Sequence, residues 1–207
     1  MPESKRHLEL RTILYLLLKQ AFADRAIVGS DQFVYWDPTD PRQCLAPDGL
    51  LQMGRPDEDY ETWKVWERGA PDIAVEIVSR SDAPEPDWEE KLEKYRKIGL
   101  KELVRFDHRP VRNALRIWDN VEGDLVERDM SDPEARQSLV LPYFWHVTAD
   151  RTLRLAEDAA GTRLLPTPQE RADSEAQRAE SEAQRADSAE SEVARLRAEL
   201  ARLQGKG

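Results

Sequence analysis

"GAPDIAVEIVSRSD" (residues 69–82) sets Ile73, Val75, Ile77 and Val78 in a β-branched apolar run, the pattern of a buried strand. The same stretch carries Asp72 and Glu76, which the alternation of side chains turns to one face. Residues four apart in a strand lie about 13 Å apart at roughly 3.3 Å per residue, so these two acids cannot easily share one ion. A partner for Glu76 must come from a neighbouring strand. "APDGLL" (46–51) offers Asp48 in a second short apolar segment. Two carboxylates on adjacent strands, with a strand carbonyl such as that of Ile77, would suit Mg²⁺, which takes hard oxygen ligands and keeps several waters.

The segments downstream of this strand bear on the fold class. "SDAPEPD" (81–87) reads as a Pro-rich loop and "DWEEKLEKYRKIG" (87–99) as a helix, with Asp87 as N-cap and Gly99 just past the C-terminus. "KELVRFD" (101–107) reads as a strand and "NALRIWDNVEGDLVERD" (113–129) as a hairpin around Glu122-Gly123. Strand, helix, strand predicts a crossover onto a mixed sheet, hence an α/β or α+β core. Upstream, residues 4–23 form an amphipathic helical pattern, "AIVGSDQFVYWD" (26–37) one strand or a strand pair, and "CLAPDGLLQMG" (44–54) one short strand segment. "RPDEDYETWKVWERGA" (55–70) reads as an acidic, irregular surface insertion.

The predicted helix carries one residue out of place. On a helical wheel Trp88, Leu92 and Tyr95 fall within about 60° of one another, and Lys91 lies between Tyr95 and Ile98. A lysine inside an apolar stripe is unfavourable unless an anion meets it, although its stem could also snorkel to solvent. Residues 91–116 hold nine Lys or Arg against three acids, a local +6 within a chain of net −10. Such a segment beside two carboxylates is what a phosphate backbone would require, and it also suits a charged helix and hairpin surface.

The composition bounds the remaining possibilities. A chain of 207 residues with six Trp and 40% hydrophobic residues can bury a core. A single cysteine, Cys44, forms no intramolecular disulfide and fits a reducing compartment. The apolar run Ile13–Leu18 ends at Lys19, far short of a membrane span, so a soluble, cytoplasmic protein is expected. His7, His108 and His146 show no ligand spacing and read as surface or satisfied core residues. No Gly-rich phosphate loop, Ser-His-Asp set or helix-turn-helix pattern is visible. The core is expected over 1–155 and a linker over 156–168. A coiled-coil helix over 169–207 would follow, with Ala172, Ala179, Ala186, Val193 and Leu200 recurring every seven residues. Leu196 and Leu203 complete an apolar seam in the last two heptads, whereas Glu175 and Glu182 interrupt the first two. Self-association through 169–204 and a solvated, frayed helix are both open on this pattern.

"PDIAVEIVSRSD…EEKLEKYRKIGLKELVRFD" (71–107) resembles the Uma2 family of restriction-endonuclease-like proteins. The resemblance is carried by Pro71, Asp72, Glu76, Ser79, Ser81, Lys91, Tyr95, Gly99 and Asp107, with "PDGLL" supplying Asp48 upstream. It implies a PD-(D/E)XK nuclease core, a mixed sheet flanked by helices, with Mg²⁺ or Mn²⁺ between Asp48 and Glu76. In the wider superfamily the lysine stands two residues after the strand glutamate. Val78 occupies that place here, and the resemblance assigns the role to Lys91. Asp72 and Tyr95 would support the site, and Glu9 on the first helix would add an acid. Two functions are therefore carried forward. One is a Mg²⁺-dependent endonuclease acting on DNA; the other is an inactive nuclease-fold scaffold that assembles through its tail.

Overall fold

The computed structural model describes residues 4–78 and 85–204, and the side chains of 85–87 and 203 also fall outside that description. Ser79, Ser81 and the side chain of Asp87 therefore lie outside the described residues. The chain divides into two compact units, Met1–Leu165 and Pro166–Gly207. In the first unit, α1 (Lys5–Phe22) is followed by β1 (Ala26–Gly29), β2 (Val34–Tyr35), β3 (Cys44–Leu45), β4 (Gly49–Met53) and β5 (Trp63–Lys64). Next come the short helix α2 (Val65–Arg68), β6 (Ile73–Ile77), α3 (Glu85–Ile98), β7 (Glu102–Phe106), β8 (Leu115–Val121) and β9 (Asp124–Glu127). The hairpin of β10 (Phe144–Val147) and β11 (Leu153–Ala156) completes the unit, and α4 (Pro168–Gln204) forms the second.

Six strands make the central sheet in the order β1-β4-β6-β7-β8-β9. Its only parallel pair among the described residues is β6 and β7, which α3 joins as the crossover. The fold is thus a mixed α/β sheet flanked by helices. Alternation along β6 divides two cores. Ile73, Val75 and Ile77 pack with Leu10, Leu14, Leu17 and Phe22 of α1, while Ala74 packs with Trp88, Leu92, Tyr95 and Ile98 of α3. Each large buried side chain contributes about 1.5–3 kcal/mol. Helix α1 begins at Ser4, whose hydroxyl accepts the His7 amide at 3.2 Å, and its buried face repeats at 7, 10, 14, 17 and 18. Gly99 ends α3 with φ 79°, the left-handed conformation that favours glycine. Between β8 and β9, Glu122 and Gly123 both have positive φ, as a tight two-residue hairpin requires.

Three sequence expectations need correction. "CLAPDGLLQMG" is two strands in two sheets: β3 pairs with β2, and β4 enters the central sheet between β1 and β6. Asp48 sits at that break, immediately before β4. The acidic 55–70 segment is not merely a surface insertion, because Trp63 of β5 is fully buried and its indole donates to the Gly69 carbonyl at 2.9 Å. Asp87 is not an N-cap, since α3 already begins at Glu85. Among the described residues, no helix is long and apolar enough to cross a membrane.

In the second unit, α4 runs for 37 residues. Its apolar positions face water: Val193 is 45% exposed, Leu196 48% and Leu200 55%. The side chain of Leu203, the fourth member of the proposed seam, lies outside the described residues.

Candidate active site

The β4–β6 register pairs Gly49 with Val75, so one residue further Asp48 lies opposite Glu76. On the other side, β6–β7 pairing sets Glu76 beside Arg105, and β7–β8 pairing sets Arg105 beside Arg116. Neighbouring strands lie about 4.8 Å apart. Four charged residues thus form a row across one end of the sheet, acids on one side and arginines on the other.

Each acid is held in place. Asp48 is buried; its Oδ2 accepts the Ile77 amide at 2.7 Å, and Oδ1 lies 2.7 Å from His7 Nε2. The Ser30 hydroxyl donates to the Asp48 carbonyl at 2.7 Å and fixes the backbone at this break. Glu76 is only 4% exposed. Lys91 Nζ lies 2.7 Å from its Oε2, and the Tyr95 hydroxyl donates to Oε1. Lys91 and Tyr95 stand four apart on α3, so one helical turn presents both donors together. Lys91 therefore turns inward onto Glu76 rather than away to solvent.

Burial pushes the Glu76 carboxyl up to about 7, and the nearby charge of Asp48 pushes the same way. The ammonium of Lys91 opposes both, as do the hydrogen bonds from Lys91 and Tyr95. Asp48 and Glu76 thus bring two carboxylates into one buried site, and a divalent cation there would relieve their mutual repulsion. The donor set fits such an ion. A carboxylate has about four acceptor positions, and the bonds described for Asp48 and Glu76 occupy two on each. Among the described residues, no three His, Cys, Asp or Glu side chains converge as a ready-made cage. An ion bound here would take the rest of its shell from water or substrate.

The other expected residues are placed differently. Asp72 lies at the far end of β6: its Oδ2 accepts the Met53 amide at 2.7 Å, and Oδ1 pairs with Lys101 Nζ at 2.8 Å. Its carbonyl accepts the amides of Lys101 and Glu102, so Asp72 ties together the starts of β6 and β7 and the end of β4. Ile77 reaches the site through its amide, which Asp48 holds. Glu9 does not reach it. That side chain is exposed on α1 and lies 3.9 Å from Lys5 and 3.8 Å from Arg6. Two residues along a helix turn by about 200°, so the face of α1 that meets Asp48 carries His7 instead.

Sequence reasoning missed His7 and Arg105. His7 was legible as the first member of the apolar 7-10-14-17 stripe, where a polar residue asks for a buried partner. Arg105 alternates with Leu103 on the α3 face of β7, and its guanidinium lies 4.6 Å from the Trp88 ring centre. Asp107 of the family pattern is held below the usual carboxylate range. Burial alone would raise it, but Arg109 outweighs burial through Nε at 2.9 Å, Nη2 at 2.6 Å and its amide at 2.9 Å.

Residues 1–154 match the family model Uma2, described as "Putative restriction endonuclease". The chain belongs to the Uma2 family. That membership supports a nuclease-type function, and restriction-endonuclease-like families generally use divalent metals. Among solved structures, the chain is similar to a crystal structure described as a putative nuclease belonging to DUF820 from Anabaena variabilis ATCC 29413. The two share 13% sequence identity with a TM-score of 0.47, over 67% of this chain and 74% of that one. A search of curated proteins finds no match.

Proposed function

We propose that this Uma2 protein is a metal-dependent endonuclease that hydrolyses phosphodiester bonds of DNA. One observation carries this reading: Glu76, buried and raised to about 7, is clasped by Lys91 and lies opposite Asp48 across adjacent strands. Asp48 and Glu76 would hold Mg²⁺ or Mn²⁺, with the Ile77 carbonyl as a third oxygen. When bound, that ion supplies Lewis-acid polarisation of the scissile phosphate and acidifies a water. The protein's own groups do the rest. His7 and the Ile77 amide hold Asp48 in one orientation, and Tyr95 holds Glu76. Lys91 projects its ammonium where negative charge develops on the phosphoryl oxygens. Asp72 supports the site from a distance by fixing the strand that carries Glu76. The lone thiol of Cys44 is compatible with a cytoplasmic setting.

The test is incubation of purified protein with supercoiled plasmid and with single-stranded DNA, in Mg²⁺, Mn²⁺ or EDTA. Cleavage should require metal, and Glu76→Ala and Lys91→Ala should each reduce it by about 100-fold or more. Intact substrate with the wild type under every condition would remove the nuclease reading.

The second reading is a nuclease-fold scaffold that assembles through its tail, and the exposed Val193, Leu196 and Leu200 of α4 favour it. Self-association along 169–204 is compatible with either reading. In the two-stranded parallel arrangement, Glu192 of one copy falls opposite Arg197 of the other, a complementary pair flanking the seam. Truncation after Gln169 should lower the oligomeric mass measured by light scattering, as fewer subunits per particle. An unchanged number of subunits would remove the proposed seam.

A further inference from the structure

Beside the candidate metal site, the C-terminal end of β7 and the loop to β8 enclose a cleft of about 450 Å³. Arg105, Asp107, Arg109, Asn113, Arg116 and Glu127 line it. Among the described residues Val111 is the only apolar one in that wall, and the rest are charged or polar. Three guanidinium groups converge there against two carboxylates. The carboxylates act on the pose of the arginines. Asp107 grips Arg109 through Nε and Nη2, and Glu127 grips Arg116 through Nε and Nη2 at 2.7 Å each. Aromatic rings fix the guanidinium planes from the other side. Arg105 lies 4.6 Å from the ring centre of Trp88, Arg116 lies 4.8 Å from that of Trp118, and the two rings are 5.2 Å apart. The result is a preorganised arginine wall rather than a set of mobile surface cations.

Its location gives the wall a use. Arg105 is the direct cross-strand neighbour of Glu76, and Arg116 is one strand further on. At about 4.8 Å per strand, the guanidinium-bearing strands stand roughly 5 and 10 Å from the one that carries Glu76. A guanidinium carries five N–H donors on two forked edges, so a carboxylate on the Nε/Nη2 edge still permits pairing through the Nη1/Nη2 edge, and such planar forks match phosphate oxygens in pairs. Phosphate contacts of this kind set the register of a nucleic acid without reading its bases.

We propose that this cleft is a second phosphate subsite, in which Arg105, Arg109 and Arg116 grip a DNA backbone phosphate next to the scissile one and so position the strand to be cut. The proposal rests on the nuclease reading above for its choice of ligand. The three arginines are positioning residues: they hold a non-reacting phosphate. Backbone gripping also agrees with a chain that shows no base-reading motif, and with a local surplus of positive charge in a chain of net −10.

The test is DNA binding by the full-length protein in EDTA, measured by fluorescence anisotropy of a labelled oligonucleotide at several salt concentrations. Arg109→Gln with Arg116→Gln should weaken binding about tenfold and reduce the slope of log K against log salt by about 0.9, the value for one phosphate no longer neutralised. Arg116→Lys, which keeps the charge but loses the fork, should recover only part of the affinity. In the cleavage assay the double variant should raise KM and leave kcat within about threefold of the wild type. Arg109→Gln alone, at a half-buried loop position, is the second variant should the double one fail to fold; it should lower affinity and slope in the same direction. Wild-type affinity and slope in a folded double or single variant would overturn the subsite, even if the protein cleaves DNA normally. No binding of DNA by the wild type would overturn it too. Cleft-dependent binding without cleavage under any metal would support the subsite and overturn the nuclease reading instead.

Discussion

Two buried glutamates on neighbouring strands of the same sheet have opposite surroundings. Glu102 opens β7 on the α1 side and is completely buried. Its Oε1 accepts from the Ser138 hydroxyl at 2.8 Å and the Trp145 indole at 2.7 Å; its Oε2 accepts from the Leu139 amide and Arg128 Nη2, both at 2.8 Å. Four donors fill the four acceptor positions of a carboxylate. Glu76, on the α3 side of β6, is met by two donors from one helix, Lys91 and Tyr95, and has a second acid nearby. A buried carboxylate whose acceptor positions are full is part of the scaffold. One for which the described residues supply two donors, and which burial and a like charge raise, is the candidate for meeting a cation.

Replacement separates the two most sharply. Glu102→Ala would take the acceptor from the buried Trp145 indole, the Ser138 hydroxyl and the Leu139 amide, while Arg128 would keep Asp119, and should lower stability by about 3–5 kcal/mol in urea unfolding. Glu76→Gln should do the reverse in metal-free protein. The Glu76 carboxyl is raised from 4.5 to about 7 in the folded state, so the folded protein binds more protons than the unfolded chain between those values. Stability from this group is therefore greatest below pH 4.5, falls as pH rises through that window, and reaches its minimum above 7, a loss of at most about 3 kcal/mol. Unfolding at about pH 5 and about pH 8 in EDTA should show that fall in the wild type and a smaller one in Glu76→Gln. A smaller effect is expected when Mg²⁺ is added at about pH 8: it should raise the melting temperature of the wild type by a few degrees and not that of Glu76→Gln. Smallest of all, Glu9→Ala removes only loose, exposed pairs with Lys5 and Arg6 and should change stability by about 0.5 kcal/mol or less.

The same contrast explains what was legible in the sequence. The run 73–78 announced β6, the wheel of 88–98 placed Lys91 among buried side chains, and Glu122-Gly123 marked the hairpin. Each of these signals lies within one element, where periodicity acts. The site is assembled by pairing across 41 residues between His7 and Asp48, and 29 between Asp48 and Ile77, for which no local pattern exists. The row Asp48-Glu76-Arg105-Arg116 depends on sheet register, and register is set by packing of the whole sheet. Glu102 shows the same limit from the other side. In "KELVRFD" it reads as a polar residue at the start of a strand, yet Arg128, Ser138 and Trp145 bury it through chain folded from much further on. Trp63 was obscured by acidic neighbours that stay at the surface while the indole turns inward.

Titration of Mn²⁺ into metal-free protein by isothermal calorimetry tests the central claim most directly, with wild type, Glu76→Gln and Asp72→Asn compared. Asp72 is the control because its two carboxylate oxygens are bound to Met53 and Lys101 at the far end of the same strand. One site should be seen in the wild type and in Asp72→Asn, weakened about tenfold or more in Glu76→Gln. Wild-type affinity in Glu76→Gln, or no binding in the wild type, would contradict the assignment of Glu76 as the strand's metal-holding acid.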